Sequence, residues 1–196
     1  LVLPPSVAPI QVVVIPVSQH KPGVLEKAYE LRDRLSAHFR VKLDDSDNSP
    51  GWKFAEYELK GVPLRLEIGP RDIESNQCVI VRRDNREKTF VPMDELETVL
   101  AAKLAELRDA LYQKALKNRA ERTYTETELD AFIKTAKEKS GYIRAMWCGE
   151  AECEAKLKEI ADVTSRCIPF GEEAVSDKCI CCGEKASALV YWGKSY

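Results

Sequence analysis

The sequence predicts an α/β protein built as two consecutive units. Three observations carry this. Ile10 to Val17 is a nearly unbroken β-branched apolar run, the pattern of a strand buried on both faces. Val24, Ala28, Leu31 and Leu35 follow at helical spacing, and Val41-Lys-Leu43 returns as a short strand. That order reads as a strand–helix–strand crossover with a parallel pair. Six of the seven cysteines then fall in the last quarter of the chain, five of them in two close groups (Cys148 and Cys153; Cys179, Cys181 and Cys182), where the elements are shorter.

The remaining elements follow in order. Asp44 to Pro50 is a polar loop, and Gly51 to Lys60 reads as a helix stopped by Gly61 and Pro63. Leu64 to Ile68 is a strand, and Gly69-Pro70 a turn. Cys78 to Val81 is a buried strand that enters a charged hairpin, Arg82 to Lys88, and Thr89-Phe-Val91 returns. Leu96, Leu100, Leu104, Leu107 and Leu111 mark a long amphipathic helix. The first domain is expected to span residues 1–104 and the second 105–196. In the second, Thr125-Glu-Thr-Glu128 offers an N-cap and acidic first turn for a helix through Lys139. Tyr142 to Trp147 is strand-like, Glu150 to Ala161 helical, Cys167 to Phe170 extended, and Ala188 to Trp192 a closing strand.

Composition narrows the function classes. The 196 residues are 44% hydrophobic and 32% charged, with a formal net charge of −2. That is a globular balance, and it speaks against a strongly basic protein that coats nucleic acid duplexes. No apolar run approaches the roughly 20 residues of a membrane-spanning helix, so no membrane partner is expected. Leu1-Val-Leu-Pro-Pro5 lacks the basic start and unbroken apolar stretch of a signal peptide, and suggests a piece of a longer protein. His20 and His38 are the only histidines, and neither has neighbours suited to nucleophilic catalysis.

The cysteines carry the clearest chemistry. Cys148 and Cys153 form a CxxxxC pair, and Cys179 and Cys182 a CxxC pair with Cys181 inside it. Two such pairs across a long insert suit a closed, four-thiolate structural zinc site. Gly183 favours Cys182 over Cys181 as the fourth ligand, because the tight turn after a metal-bound cysteine needs a residue that tolerates positive φ. A thioredoxin-like redox pair is a rival, but that motif leads into a helix, whereas here the chain leads towards a strand. Cys78 and Cys167 read as small buried residues.

Asp45, Asp47, Ser49 and Glu56 loosely imitate a calcium loop. The sixth position of such a loop should be glycine, and here it is Pro50, so a polar turn capping the next helix is expected instead.

Several segments then form a recognisable series. Pro4 to Gln11 (PPSVAPIQ), Gly51 to Arg65 (GWKFAEYELKGVPLR), Glu67 to Asp72 (EIGPRD), the two cysteine pairs and a terminal Gly193-Lys-Ser-Tyr196 occur in order. This series closely resembles the C-terminal half of the archaeal/eukaryotic-like prolyl-tRNA synthetases, over essentially the whole chain. The family often has a basic residue where this chain has Ser6, and Cys181 is an extra thiol. The resemblance implies a class II anticodon-binding domain with a mixed, mostly parallel sheet flanked by helices. Residues 1–8 would be the tail of its link to the catalytic domain. A small α/β zinc-containing domain would follow.

The resemblance implies further that the parent enzyme joins proline to tRNA(Pro) in the cytoplasm. Its catalytic domain, with the ATP and Mg²⁺ sites, would lie upstream of Leu1, so this chain alone is expected to be catalytically inactive. The partners implied are the tRNA(Pro) anticodon loop, the chain's own catalytic domain, and a second copy of the parent in a homodimer. Tyr196 would help to position the active site. A stand-alone RNA-binding or interaction module on the same fold is the alternative.

Every proline anticodon ends in two guanines. Guanine N1–H and N2–H₂ suit a carboxylate, while O6 and N7 suit Arg or Lys, so a reader should mix both charges in one small site. By resemblance, the base-reading positions are Glu58, Arg65, Arg71, Asp72 and Lys88. Glu58 and Asp72 would accept from N1/N2. Arg71 and Lys88 would donate to O6/N7 or a phosphate, and Arg65 would stack or pair with a carboxylate. Trp52, Phe54 and Tyr57 offer a stacking face, although Phe54 and Tyr57 at helical spacing also suit a core. Lys103 to Arg122, with six basic and three acidic residues, reads either as a phosphate-contacting patch or as a solvated helix face.

Overall fold

A computed structural model describes residues 1–194 of the chain; the expectation for Tyr196 falls outside the described residues. The chain divides into two compact units, Leu1–Gln113 and Lys114–Tyr196. The boundary expected at residues 104/105 lies inside one long helix, α4 (Leu96–Glu121).

The first unit opens with β1 (Val12–Pro16), α1 (Val24–Ser36) and β2 (Val41–Leu43). It continues through α2 (Pro50–Leu59), β3 (Leu64–Ile68) and α3 (Pro70–Glu74) to β4 (Gln77–Arg82) and β5 (Lys88–Pro92). Its five-stranded sheet has the order β2-β1-β3-β4-β5. The sheet is mixed, as expected: β1 pairs parallel with β2 and β3, while β3–β4 and β4–β5 are antiparallel. The pairings thus divide evenly, because the chain reverses twice, through α3 between β3 and β4 and through the Arg82–Lys88 hairpin between β4 and β5.

Alternation along the strands sorts side chains onto two faces. Val12, Val14, Leu64, Leu66, Ile68, Cys78 and Ile80 face α1 and α4, where Leu31, Leu35, Leu100 and Leu104 complete the main core. Val13 and Ile15 face the other way and pack against Tyr57 and Val62. Strands β4 and β5 continue this second face through Val79, Val81, Lys88 and Phe90, which the register sets opposite one another. There the sheet is open enough to leave Phe90 64% exposed.

Helix α2 starts as the rejected calcium loop suggested. Ser49 accepts the Trp52 N–H and Pro50 holds the first turn. The structure turns the predicted Gly69-Pro70 bend into a short helix, α3, with Gly69 at its N-cap.

The second unit holds β6 (Thr123–Thr125), α5 (Leu129–Glu138), β7 (Tyr142–Trp147), α6 (Ala151–Ala161), β8 (Val163–Cys167) and β9 (Ala188–Lys194). Its four-stranded sheet has the order β6-β7-β9-β8. Helices α5 and α6 pack Phe132, Ala136, Leu157 and Ala161 against Ile143, Val190 and the fully buried Trp192.

Two expectations need correction. Thr125 does not cap α5: it belongs to β6, which pairs parallel with β7, and Glu128 is the N-cap residue. Three polar residues give too weak an alternation to signal a strand when their pairing is long-range. Cys167 is exposed rather than buried, since it ends β8, an edge strand whose register is broken between Ser165 and Cys167. Cys78 is buried as expected, and burial together with the Asp72 carboxylate pushes its thiol up to about 12.

Candidate anticodon interface and metal centre

On the second face of the first sheet, a cleft of about 150 Å³ is lined by Phe54, Glu58, Arg65, Arg83, Arg86 and Lys88, with Val13, Tyr57, Val62, Val81 and Arg82. Arg65 and Glu67 are two apart on β3, so both side chains project to this face. Arg65 Nε donates to Glu67 Oε1 at 2.8 Å, and its Nη1 lies 3.3 Å from Glu58 Oε1. The guanidinium carbon sits 3.9 Å from the Phe54 ring centroid, a cation–π contact that fixes its plane. Lys88 Nζ lies 4.0 Å from Glu67 Oε2, and Arg86 Nη2 lies 4.0 Å from Glu58 Oε2. Arg83 Nε donates to the Glu58 carbonyl at 3.2 Å, tying the hairpin to α2.

Three of the five sequence-predicted residues, Glu58, Arg65 and Lys88, therefore meet in one site. Arg71 and Asp72 stand outside the cleft lining, on α3, the helix that follows β3. Asp72 Oδ2 reaches back to accept the Gly69 N–H at 2.8 Å, which satisfies the N-cap backbone of α3, and Arg71 is exposed. Of the aromatics, Tyr57 is buried, Phe54 is half-buried beneath Arg65, and Trp52 is exposed.

Sequence reasoning missed Glu67, the buried carboxylate that orients Arg65, and Phe90, the ring exposed on the same face. The signal for Glu67 was its two-residue spacing from Arg65 on an otherwise apolar strand. Phe90 gave no signal until the β4–β5 register placed it across from Val79.

Beside the cleft, Lys53 is buried and holds the β1–β2 end together. Its Nζ donates to Gln19 Oε1 and to the Asp44 carbonyl, each at 2.9 Å. Burial would raise Asp44, but hydrogen bonds from Ser46 and the Lys53 charge outweigh it and hold the carboxyl below its ordinary range. Burial and the Asp44 charge push Tyr57 up to about 12.

In the second unit, the sulfurs of Cys148, Cys153, Cys179 and Cys182 all lie within 4.8 Å of one another. Metal–sulfur bonds of about 2.3 Å in a tetrahedron require edges of about 3.8 Å. The Cys148–Cys153 and Cys148–Cys182 separations are 3.6 and 4.0 Å, so the residues present fit a zinc-sized tetrahedral ion. Cys148 comes from the end of β7 and Cys153 from the first turns of α6. Cys179 and Cys182 come from the turn before β9. Gly149 and Gly183, directly after two of these cysteines, hold φ values of 101° and 75°, a left-handed turn that favours glycine.

Electrostatics also suit a cation. Burial raises the Cys179 thiol, but backbone N–H groups of Cys182, Cys181 and Cys148 outweigh it and bring it down to about 7. Cys153 is pushed up by burial and by the neighbouring thiols. Four sulfurs this close cannot all ionise unless a positive charge sits among them. Cys181 is buried and lies outside the set. Four converging thiols are also more than a two-thiol redox motif requires.

Comparison with known proteins now fits this geometry. Residues 11–103 match the family described as "Anticodon binding domain", and residues 129–196 match "Prolyl-tRNA synthetase, C-terminal". The chain belongs to the prolyl-tRNA synthetase family. It is 58% identical to a Proline–tRNA ligase of Clostridium novyi (strain NT) across all its 196 residues. Proline–tRNA ligases of Clostridium botulinum (strain Langeland / NCTC 10281 / Type F) and Ruminiclostridium cellulolyticum are each 57% identical over the same span. The chain spans 41% of the length of each of these relatives. Its first unit is thus the anticodon-binding part of this family, and its cysteine cluster lies in the family's C-terminal part. Among the described residues, no helix is long and apolar enough to cross a membrane.

Proposed function

We propose that this chain is the part of a proline–tRNA ligase that reads the anticodon of tRNA(Pro), with a structural zinc in its second unit. The supporting observation is the convergence of Glu58, Arg65, Glu67 and Lys88 on one open sheet face. Such a site offers in one place both the carboxylate and the cations that the donor and acceptor edges of guanine require. Glu58 accepts from guanine N1–H and N2–H₂, and Lys88 donates to O6/N7 or a phosphate. Arg65 is held flat between Phe54 and the two carboxylates and presents the remaining N–H groups. Arg71 and Asp72 contribute from α3, Asp72 through the oxygen that does not cap Gly69.

Cys148, Cys153, Cys179 and Cys182 hold Zn²⁺ in a closed shell. A zinc ion bound so neutralises clustered thiolates and clamps α6 to the turn before β9. In the parent protein, proline activation with ATP and Mg²⁺ belongs to a catalytic domain upstream, in a cytoplasmic homodimer. This chain by itself supplies recognition and no ligase activity. The anticodon-binding domain is assigned to residues 1–104 and the zinc domain to 105–196.

The test is affinity for a proline tRNA anticodon stem-loop and for versions with either guanine replaced. Replacement of one guanine should weaken binding at least tenfold, in line with about 1–3 kcal/mol per good base contact. Equal affinity for all versions would overturn the reading.

A further inference from the structure

The second unit carries a feature that neither the anticodon site nor the cysteine cluster uses. A cleft of about 780 Å³ is lined by Arg119, Arg122, Lys139, Arg166 and Lys194, with Tyr124 and Tyr142 among them and Trp192 at its base. No carboxylate lines it among the described residues. This is segregation rather than bulk charge, since residues 114–196 contain acidic and basic side chains in equal number. The end of α4, the end of α5, β8 and β9 each deliver cations, so the positive charge comes from separate segments rather than from one helix face.

The aromatic groups are placed for use. Tyr142 is 45% exposed, and Lys139 Nζ is held 4.5 Å from the Tyr124 ring centroid. Arg166 donates to the Gly193 carbonyl at 3.1 Å, which anchors its guanidinium at the cleft. An adjoining cleft shares Arg119, Tyr142 and Arg166 but also carries Glu172 and Glu173, so the carboxylate-free surface is confined to the first. Cations interleaved with tyrosine rings suit a single ligand chemistry: phosphates carrying planar bases or riboses between them.

We propose that this cleft binds the sugar–phosphate backbone of RNA, as a contact independent of base sequence and additional to the anticodon site. The inference uses the proposed function only to choose tRNA(Pro) as the RNA. Arg119, Arg122 and Lys139 pair with phosphates, and Tyr142 stacks on a base or ribose. The contact raises affinity and salt dependence without adding guanine selectivity.

The experiment compares the full chain with an Arg122→Ala/Lys139→Ala double variant and an Arg122→Lys/Lys139→Arg double variant. Each is titrated with a tRNA(Pro) transcript and with a transcript whose anticodon guanines are replaced, over a range of salt concentrations. The alanine variant should lose at least tenfold affinity for both transcripts. Its slope of log affinity against log salt should fall in magnitude by about 1.5, as expected for two lost phosphate contacts. The charge-conserving variant should restore both, which a merely structural defect would not allow. Unchanged affinity and slope in the alanine variant, or equal loss in the charge-conserving one, would overturn the proposal. The anticodon reading fails separately, if the full chain binds the two transcripts equally.

Discussion

Arg65 and Glu67 stand two residues apart on β3 and meet at 2.8 Å, both largely withdrawn from solvent. Glu67 therefore acts on any ligand through Arg65: it fixes where the guanidinium lies over Phe54. Replacing Glu67 by Gln should cost about 1.5–3 kcal/mol of stability, the range of a charge-assisted hydrogen bond, and loosen Arg65. Urea unfolding of the variant checks the first effect. A loss of guanine selectivity larger than the loss of general RNA affinity checks the second.

Phe90 should contribute to RNA affinity as a stacking surface. Base–aromatic stacking is worth about 1–3 kcal/mol per base. Phe90→Ala should therefore weaken stem-loop binding by roughly five- to a hundredfold, and Phe90→Tyr should restore it. Folding stability should change little, because the ring is mostly exposed. If Phe90→Ala binds as tightly as the unaltered chain, the ring has no role in binding.

Metal content should separate the two adjacent thiols. Cys182→Ser should lose stoichiometric zinc, whereas Cys181→Ser should keep one ion per chain. Chelation should unfold the second unit, visible as loss of Trp192 burial by fluorescence. A zinc-free Cys181→Ser with zinc-loaded Cys182→Ser would exchange the ligand assignment.

Acid should destabilise the first unit through Asp44. Its folded carboxyl lies below the ordinary range, so the unfolded chain binds that proton more tightly. Stability from this group is complete above the unfolded pKa and is lost as pH falls through the folded one. Asp44→Asn should flatten the acid limb of a stability–pH curve while lowering stability at neutral pH, since buried Lys53 loses its counter-charge. An acid limb as steep as before would remove Asp44 from the explanation.

The strands of the first unit and most helices were legible because their apolar spacing is strong: β2 and β3 match their predicted spans residue for residue. Thr123–Thr125 and Val163–Cys167 were not, since short polar or edge strands take their conformation from distant partners. The sulfur set was readable from spacing and one glycine. The base-reading charges came from family motifs, and chain order alone did not reveal that Asp72 would spend one oxygen on its own helix. Nor could it reveal Glu67 and Phe90 as neighbours of the cleft, because that depends on three strands in register.

Anticodon reading as proposed depends above all on Glu58 accepting hydrogen bonds from a guanine edge. The most direct measurement is a cycle between Glu58→Gln and an anticodon stem-loop in which inosine, which lacks the N2 amino group, replaces one guanine at a time. Inosine at the contacted position should weaken binding to the unaltered chain by about 1 kcal/mol or more, and this penalty should largely disappear in Glu58→Gln. Penalties of the same size in both chains at both positions would contradict this role of Glu58.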